Sequence, residues 1–544
     1  MTSNLRGAIA AGHPKTAEAG IEMFRLGGNV FDAVVAAVLA ACVVEPTLTS
    51  LGGGGFLLAH TADNRNTLFD FFTQTPRQKR NPAEVDFYPV EVNFGTVTQE
   101  FHVGLGSIAV PGAVAGLFHV HQRLGRLPFK AIAAPAIHYA SVGVEIEAFP
   151  AYCFSILEPI VLGCPEACRT YAPGQILPQP GTVIKLPELA ATLSYLAEAG
   201  ARAFYEGEMA QQLVNDCRDR GGYLTLDDLK HYQVIERSPL STTYRGNTLL
   251  TNPPPSSGGS LIAFSLALLA QVQLSDLEFG SVDHLRTLVE VMRLTNHART
   301  DGYDARLSQP DVAERFLAPE HLNPYIEKLS LALNRANPGG DRSSSNKWGS
   351  TTHISAIDAE GNAASVTTSN GEGSAYTIPA TGVMMNNMLG EADLHPTGFH
   401  DWPENVRISS MMAPTMLLKN HQPELVLGSG GSNRIRTAIV QVISNLIDFQ
   451  MPVDLAVNSP RVHWENDVFN VEPGFASHAL DQLLTTQPLS HSTQLPSNEK
   501  WVAWEQKNMF FGGVHAVAMA IEGADPGALF GGGDRRRNGY VAIL

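Results

Sequence analysis

Cysteine, long apolar runs and positive charge are all scarce in this chain, and each scarcity excludes something. Its five cysteines are Cys42, Cys153, Cys164, Cys168 and Cys217. So sparse and odd a set points to reduced thiols, not to a disulfide framework. Cys164 and Cys168 bracket a CPEAC segment, but no second Cys or His pair stands at ligand spacing, so no metal site is expected. The longest apolar stretch, Phe31 to Val44, is interrupted by Asp32 and falls short of the roughly 20 residues a membrane span needs. The N-terminal segment MTSNLRGAIAAGHPKTAEAG contains no apolar run of signal-peptide length. The expectation is a soluble, cytoplasmic protein without a membrane partner. Lys and Arg number 37 against 53 Asp and Glu, a formal charge of −16. That balance argues against nucleic acid and anionic lipid as main partners. No GxxxxGK[ST] loop occurs, so a phosphate cradle is set aside and no cofactor is expected.

What is present reads as a globular chain. Apolar residues make up 44 % and charged residues 17 %, too apolar and too weakly charged for disorder. Residues 14–27 read as a helix: Ala17, Ile21 and Phe24 recur at helical spacing, and Gly27-Gly28 supplies a stop. Asn29 can cap a second helix that is apolar nearly all round and therefore buried. GFLLAHTA and NTLFDFF, after four consecutive glycines, read as paired strands. Residues 111–250 read as mostly helical, and PPPSSGG at 253–259 as a loop before another apolar helix. Residues 335–350, RANPGGDRSSSNKWGS, have no periodicity and read as an exposed linker. Beyond it strands dominate: HISAID and AASVTT as a hairpin, then APTMLL and ELVLG, a helix from about Asn433 to Phe449, and closing strands VHAVAMAIEG and NGYVAIL. Strand pairs on both sides of the linker, with helices outside, predict a layered helix–sheet–sheet–helix sandwich.

The chemistry centres on GSTTHISAIDAEGNAASV, residues 349–366. Cutting the Ser350–Thr351 bond would give Thr351 a free α-amine beside its own hydroxyl. An α-amine titrates near pH 7.7–8.0 and can serve as base at neutral pH. The hydroxyl then becomes an activated nucleophile without a separate His. Taken alone, the same residues also read as a β-strand with surface threonines.

TTHISAID-x-x-GN resembles the small-subunit start of gamma-glutamyltransferases, which belong to the N-terminal-nucleophile (Ntn) hydrolases. The resemblance runs nearly the whole chain: AAGHP, GGNVFDAVVAA, VVEP and GGGGF early; VPGAVAGL, LPFKAIAAPAI, GGYLTLDDL and PPPSSGG in the middle; ISSMMAPTML, LGSGGSNRI and NSPRVHW late. It implies an α+β fold, a four-layer αββα sandwich of the N-terminal-nucleophile hydrolase type. It implies a zymogen that cuts itself between Ser350 and Thr351 into a large subunit, 1–350, and a small subunit, 351–544. These would form one intertwined αββα unit, an α/β heterodimer that can assemble further. Thr351 is then the nucleophile, Ser369 the second hydroxyl beside its amine, and Gly430 and Gly431 the backbone oxyanion donors. An ungapped alignment shifts that pair to Gly431 and Ser432. Glu391 matches the acidic residue that meets the substrate α-amine, and Ser409 and Ser410 match the serine pair on its α-carboxylate. The implied substrate is a small γ-glutamyl or related acyl amide, passed through a Thr351 ester to water or an amine, as in glutathione metabolism.

The likeness breaks at the carboxylate grip. The family's D-x-R-E-x-x-P segment is here Asp70-Phe71-Phe72-Thr73-Gln74-Thr75-Pro76, with Phe72 in place of the Arg. A bidentate Arg–carboxylate contact is among the strongest polar grips, and Phe cannot replace it. Arg77 lies five residues on, on the other face of an extended strand. Gly371 stands where an Asn is expected, with Asn370 adjacent, and Met388 where a polar residue is usual. The segment from Glu391 to Ser409 is short, which implies an open site without a lid. Three readings follow: a γ-glutamyl hydrolase or transferase; an Ntn amidase or acylase on a cephalosporin-type or dicarboxylic acyl group, with an aromatic wall from Phe71 or Phe72; and a binding protein that never matures.

Overall fold

The computed structural model describes residues 7–93, 98–334, 349–395, 398–465, 468–486, 500–523 and 525–544. Most of the expected linker, residues 335–348, lies outside the described residues; Gly349 and Ser350 are within them.

The first elements form for local reasons. Strand β1 (Gly7–Ala11) is small, apolar and wholly buried. Helix α1 (Pro14–Arg25) starts with Pro at a position whose N–H has no intrahelical acceptor. Helix α2 (Val30–Val44) is buried along its whole length. The Asp32 that interrupts the apolar run closes a capping box with Asn29. Its carboxylate also accepts from the backbone N–H of Arg126 (2.9 Å) and Leu127 (3.2 Å). Asp32→Ala would strand buried donors, so a loss of about 3 kcal/mol is expected in urea unfolding monitored by circular dichroism.

Strands β2 (Gly54–His60) and β3 (Asn66–Phe71) pair antiparallel. Helices then predominate from Ala113 to Lys230, broken by a short antiparallel pair of Val144–Glu145 with Val183–Ile184. The expectation of mostly helix as far as 250 is corrected at its end: β4 (Ile235–Arg237), β5 (Leu240–Tyr244) and β6 (Asn247–Thr251) are short strands. Next come α3 (Gly258–Leu269) and α4 (Val282–Ala298). Past the linker lie β7 (Thr352–Asp358), β8 (Ala363–Ser369), β9 (Thr415–Lys419), β10 (Gln422–Gly430), α5 (Arg434–Ile447), β11 (Gly513–Met519), β12 (Leu529–Gly532) and β13 (Tyr540–Ile543).

These strands build two sheets. The first runs β13-β1-β7-β8-β2-β3-β4, the second β12-β11-β10-β9-β6-β5. Both mix strands from before and after the linker; β7 and β8 sit between β1 and β2. One apolar core joins α1 and α2 to Ile9, Leu57, Ile354 and Val366 of the first sheet. A second joins α3, α4 and α5 to the second sheet and reaches Phe56 and Phe72. Between the sheets the contact is partly polar. The Ser355 hydroxyl donates to the His515 carbonyl (2.9 Å), and the Ser365 hydroxyl to that of Leu427 (2.9 Å). The result is the expected α+β sandwich with helices on both outer faces. No helix among the described residues is long and apolar enough to cross a membrane.

Candidate active site

Strand periodicity aims the central residues. Side chains alternate along β7, and His353 and Ser355 face the second sheet; Thr351 shares their parity. The register pairs Thr352 with Thr368, so one further step sets Ser369 opposite Thr351. The even-numbered Thr352 points the other way, where its hydroxyl meets Glu45 at the end of α2 (2.7 Å).

The Ser350 carbonyl, on the bond expected to be cut, is held in place. The Ser369 hydroxyl donates to it at 2.6 Å and accepts from the Gly371 N–H at 3.0 Å. The Glu372 carboxylate takes both other polar groups of Ser350, the backbone N–H at 2.8 Å and the hydroxyl at 2.5 Å. Burial raises the Glu372 carboxyl above its ordinary range, against the pull of the Ser350 donors and Arg537. The buried Arg537 guanidinium donates to the carbonyls of Thr351 (3.2 Å) and Gly349 (3.3 Å).

The glycine loop enters from β10. Gly430, its last residue, pairs with Gly513. Gly430 packs so closely that a Cβ there would stand 2.1 Å from the Thr351 carbonyl oxygen. Gly431 follows at φ +119° and Ser432 at φ +49°, leading into α5. No backbone or side-chain acceptor among the described residues takes the amides of Gly431 or Ser432. The Ser432 hydroxyl donates to Asp393 at 2.9 Å.

A cleft of about 710 Å³, its mouth included, opens over this point. It collects Thr351, Ser369, Glu391, Ser409, Ser410 and Phe72, residues far apart in sequence. Phe72 stacks on Phe56 with ring centroids 5.3 Å apart. Phe71, by strand alternation, belongs to the helix-side core instead. Arg77 does not line the cleft; its guanidinium is 3.7 Å from Asp227. The Asn370 side chain turns to the Met385 carbonyl (3.3 Å) and is not among the lining residues. Met388 lines the cleft, as does Ser257.

Sequence reasoning missed several groups here. Arg299 lines the cleft, ion-paired with Asp304 at 2.8 Å and bonded to Asn433 at 3.3 Å. Asp393, Glu372 and Arg537 were missed too. Only Glu372 carried a local signal, as an acid in a glycine-flanked turn three residues after Ser369. The CPEAC segment has a structural role: the Cys164 sulfur caps the helix Pro165–Tyr171.

The comparisons with known proteins agree with this arrangement. The acylase ACY 1 proenzyme of Pseudomonas sp. (strain V22) is 30 % identical over 490 residues, covering 88 % of this chain and 86 % of that one. Glutathione hydrolase 2 of Arabidopsis thaliana is 31 % identical over 482 residues, covering 84 % and 80 %. The crystal structure of cephalosporin acylase from Bacillus halodurans superposes with a TM-score of 0.82 at 25 % identity, covering 99 % of this chain and 96 % of that one. The gamma-glutamyltranspeptidase family model matches residues 16–544. With that match spanning nearly all of both sheets, the chain belongs to the gamma-glutamyltranspeptidase family and is an enzyme of its N-terminal-nucleophile acyl-transfer type.

Proposed function

We propose that the protein matures by cutting itself between Ser350 and Thr351 and then opens acyl amides through an ester on Thr351. The observation that carries this is the Ser369 hydroxyl on the Ser350 carbonyl at 2.6 Å, next to the Thr351 side chain. In maturation the Thr351 hydroxyl oxygen attacks the Ser350 carbonyl carbon. Its proton passes to the Thr351 nitrogen as the C–N bond breaks, and water opens the ester. The products are a Ser350 carboxylate and a free Thr351 amine, on an α/β pair of residues 1–350 and 351–544. In turnover that amine takes the hydroxyl proton as Thr351 attacks the substrate carbonyl. The amides of Gly431 and Ser432, which leave the β10 ladder without an acceptor, stabilise the oxyanion. Gly430, still in the ladder, serves as the close-packed floor. Five unpaired cysteines, four of them buried, favour a reducing, cytoplasmic setting.

The acyl group is the open choice between the family's two activities. Glu391, Ser409 and Ser410 in the cleft favour a γ-glutamyl group, with Glu391 on its amine. Phe72 in the place of the gripping Arg favours a different acyl amide, as handled by the acylases this chain resembles. A carboxylate buried against Phe72 pays desolvation that two serine hydroxyls only partly offset. Wild type is therefore expected to prefer some other acyl p-nitroanilide to the γ-glutamyl one. Phe72→Arg should improve the γ-glutamyl substrate by about 1.5–3 kcal/mol in kcat/KM, the scale of a hydrogen bond to a charged group. Esterifying the substrate α-carboxylate should erase that gain. A wild type already efficient on the free acid and unimproved by Phe72→Arg would overturn this reading of specificity. Arg299, the cation that does line the cleft, would then be the group to test.

A further inference from the structure

We propose that Glu372 is a positioning residue for self-cleavage, a clamp that holds Ser350 so that its carbonyl meets Thr351. This rests on the maturation reading above and deepens it. The carboxylate is buried, and among the described residues its two hydrogen bonds both go to Ser350. Its own backbone N–H is fixed by the Asn387 side-chain oxygen at 2.9 Å, so the clamp stands on a braced turn. Gly371, just before it, has φ +61°, and a Cβ there would stand 2.1 Å from that same Asn387 oxygen. The turn therefore has to pass close to Asn387 to bring Glu372 under Ser350.

Geometry gives the clamp its use. Ser350 is the last residue before a bond that must be attacked from one side. Its carbonyl is fixed by Ser369, and its N–H and hydroxyl by Glu372. Three hydrogen bonds on one residue remove the rotations that would swing the carbonyl away from the Thr351 hydroxyl, and orientation of this kind is worth orders of magnitude in rate. A purely structural carboxylate has no reason to spend both oxygens on the one residue that is cut loose by the reaction. Glu372 supplies no atom to the products and takes none; the proton path remains that from the Thr351 hydroxyl to the Thr351 nitrogen.

The test is a double-mutant cycle on maturation rate. Full-length chain is pulse-labelled in cell-free translation, and its conversion to two fragments is followed on denaturing gels. Wild type, Ser350→Ala, Glu372→Ala and the double variant are compared, with Glu372→Gln as an isosteric check that the precursor folds, read by its melting temperature. Glu372→Ala is expected to slow conversion about 100-fold and Ser350→Ala about 10-fold, as for misplacement of a reacting group. If the two side chains act through one contact, the double variant should be no slower than Glu372→Ala. Conversion of Glu372→Ala and Glu372→Gln at the wild-type rate, or multiplying effects in the double variant, would overturn the proposal. If wild type itself is not cut before Thr351, the maturation reading fails first and takes this one with it; if it is cut and no coupling appears, the clamp alone fails.

Discussion

Thr351→Ala is expected to remain one chain of 544 residues, without acyl-amide turnover, while wild type yields fragments of 350 and 194 residues (544 − 350). The size of the effect follows from one hydroxyl serving twice. It attacks Ser350 during maturation and the substrate afterwards, so its removal blocks the second reaction both directly and by withholding the base. Without the cut, the Thr351 nitrogen stays an amide and cannot accept a proton. Thr351→Ser keeps a hydroxyl in the same strand position and should still mature and turn over. Gel analysis and a p-nitroanilide assay on the same preparations read both effects. A Thr351→Ala chain that still splits at this bond would show that another group makes the cut.

The second large effect is expected in the glycine loop. Gly431 is at φ +119°, where a side chain is strained, and a Cβ there would stand 3.1 Å from the Gly512 Cα and 3.2 Å from the Arg537 guanidinium. Gly431→Val must therefore move the loop, and with it the two amides aimed at the oxyanion. Loss of one such donor typically costs about 10²–10³ in turnover. Ser432→Ala keeps the amide and gives up only the hydroxyl bond to Asp393, so its loss should stay within about tenfold, the scale of one neutral-to-charged hydrogen bond at a partly exposed site. Turnover is compared per mature active site, counted by burst titration of the acyl-enzyme. Equal and mild effects from the two variants would place the oxyanion donors elsewhere.

The parts of the fold that were readable from sequence are those where local pattern and tertiary role coincide. Helix α2, apolar except for Asp32, is buried on every side, and its Asn29 cap is where the pattern puts it. The hairpin of β7 and β8 follows from alternation around an AEGN turn. The strands β4, β5 and β6 were lost in a stretch read as mostly helical because they are three to five residues long and carry little apolar alternation. β4 and β5 lie at the edges of their sheets, where one-sided pairing leaves polar residues in place, and β6 pairs on both sides but is only five residues long.

The site divides along the same line. Thr351, Ser369, Glu391, Ser409, Ser410 and Phe72 could be named because each sits in a recognisable motif, and the fold brings them to one cleft. Arg299 could not, since it ends a long helix whose apolar period explains every neighbour without assigning it a role. Arg537 stands in a run of three arginines that reads as a solvated patch, yet it is buried behind the Thr351 carbonyl. Its place depends on β7 of one sheet and β10 of the other packing together near it, a long-range contact that no spacing in the sequence reports.

The central claim is that this chain makes its own nucleophile, and N-terminal sequencing of the purified wild-type protein tests it most directly. Sequencing should give a second terminus that reads Thr-Thr-His-Ile-Ser, starting at Thr351, in equal amount to the first. A single terminus in a protein that turns over acyl amides would contradict the account, as would a second terminus beginning at any other residue.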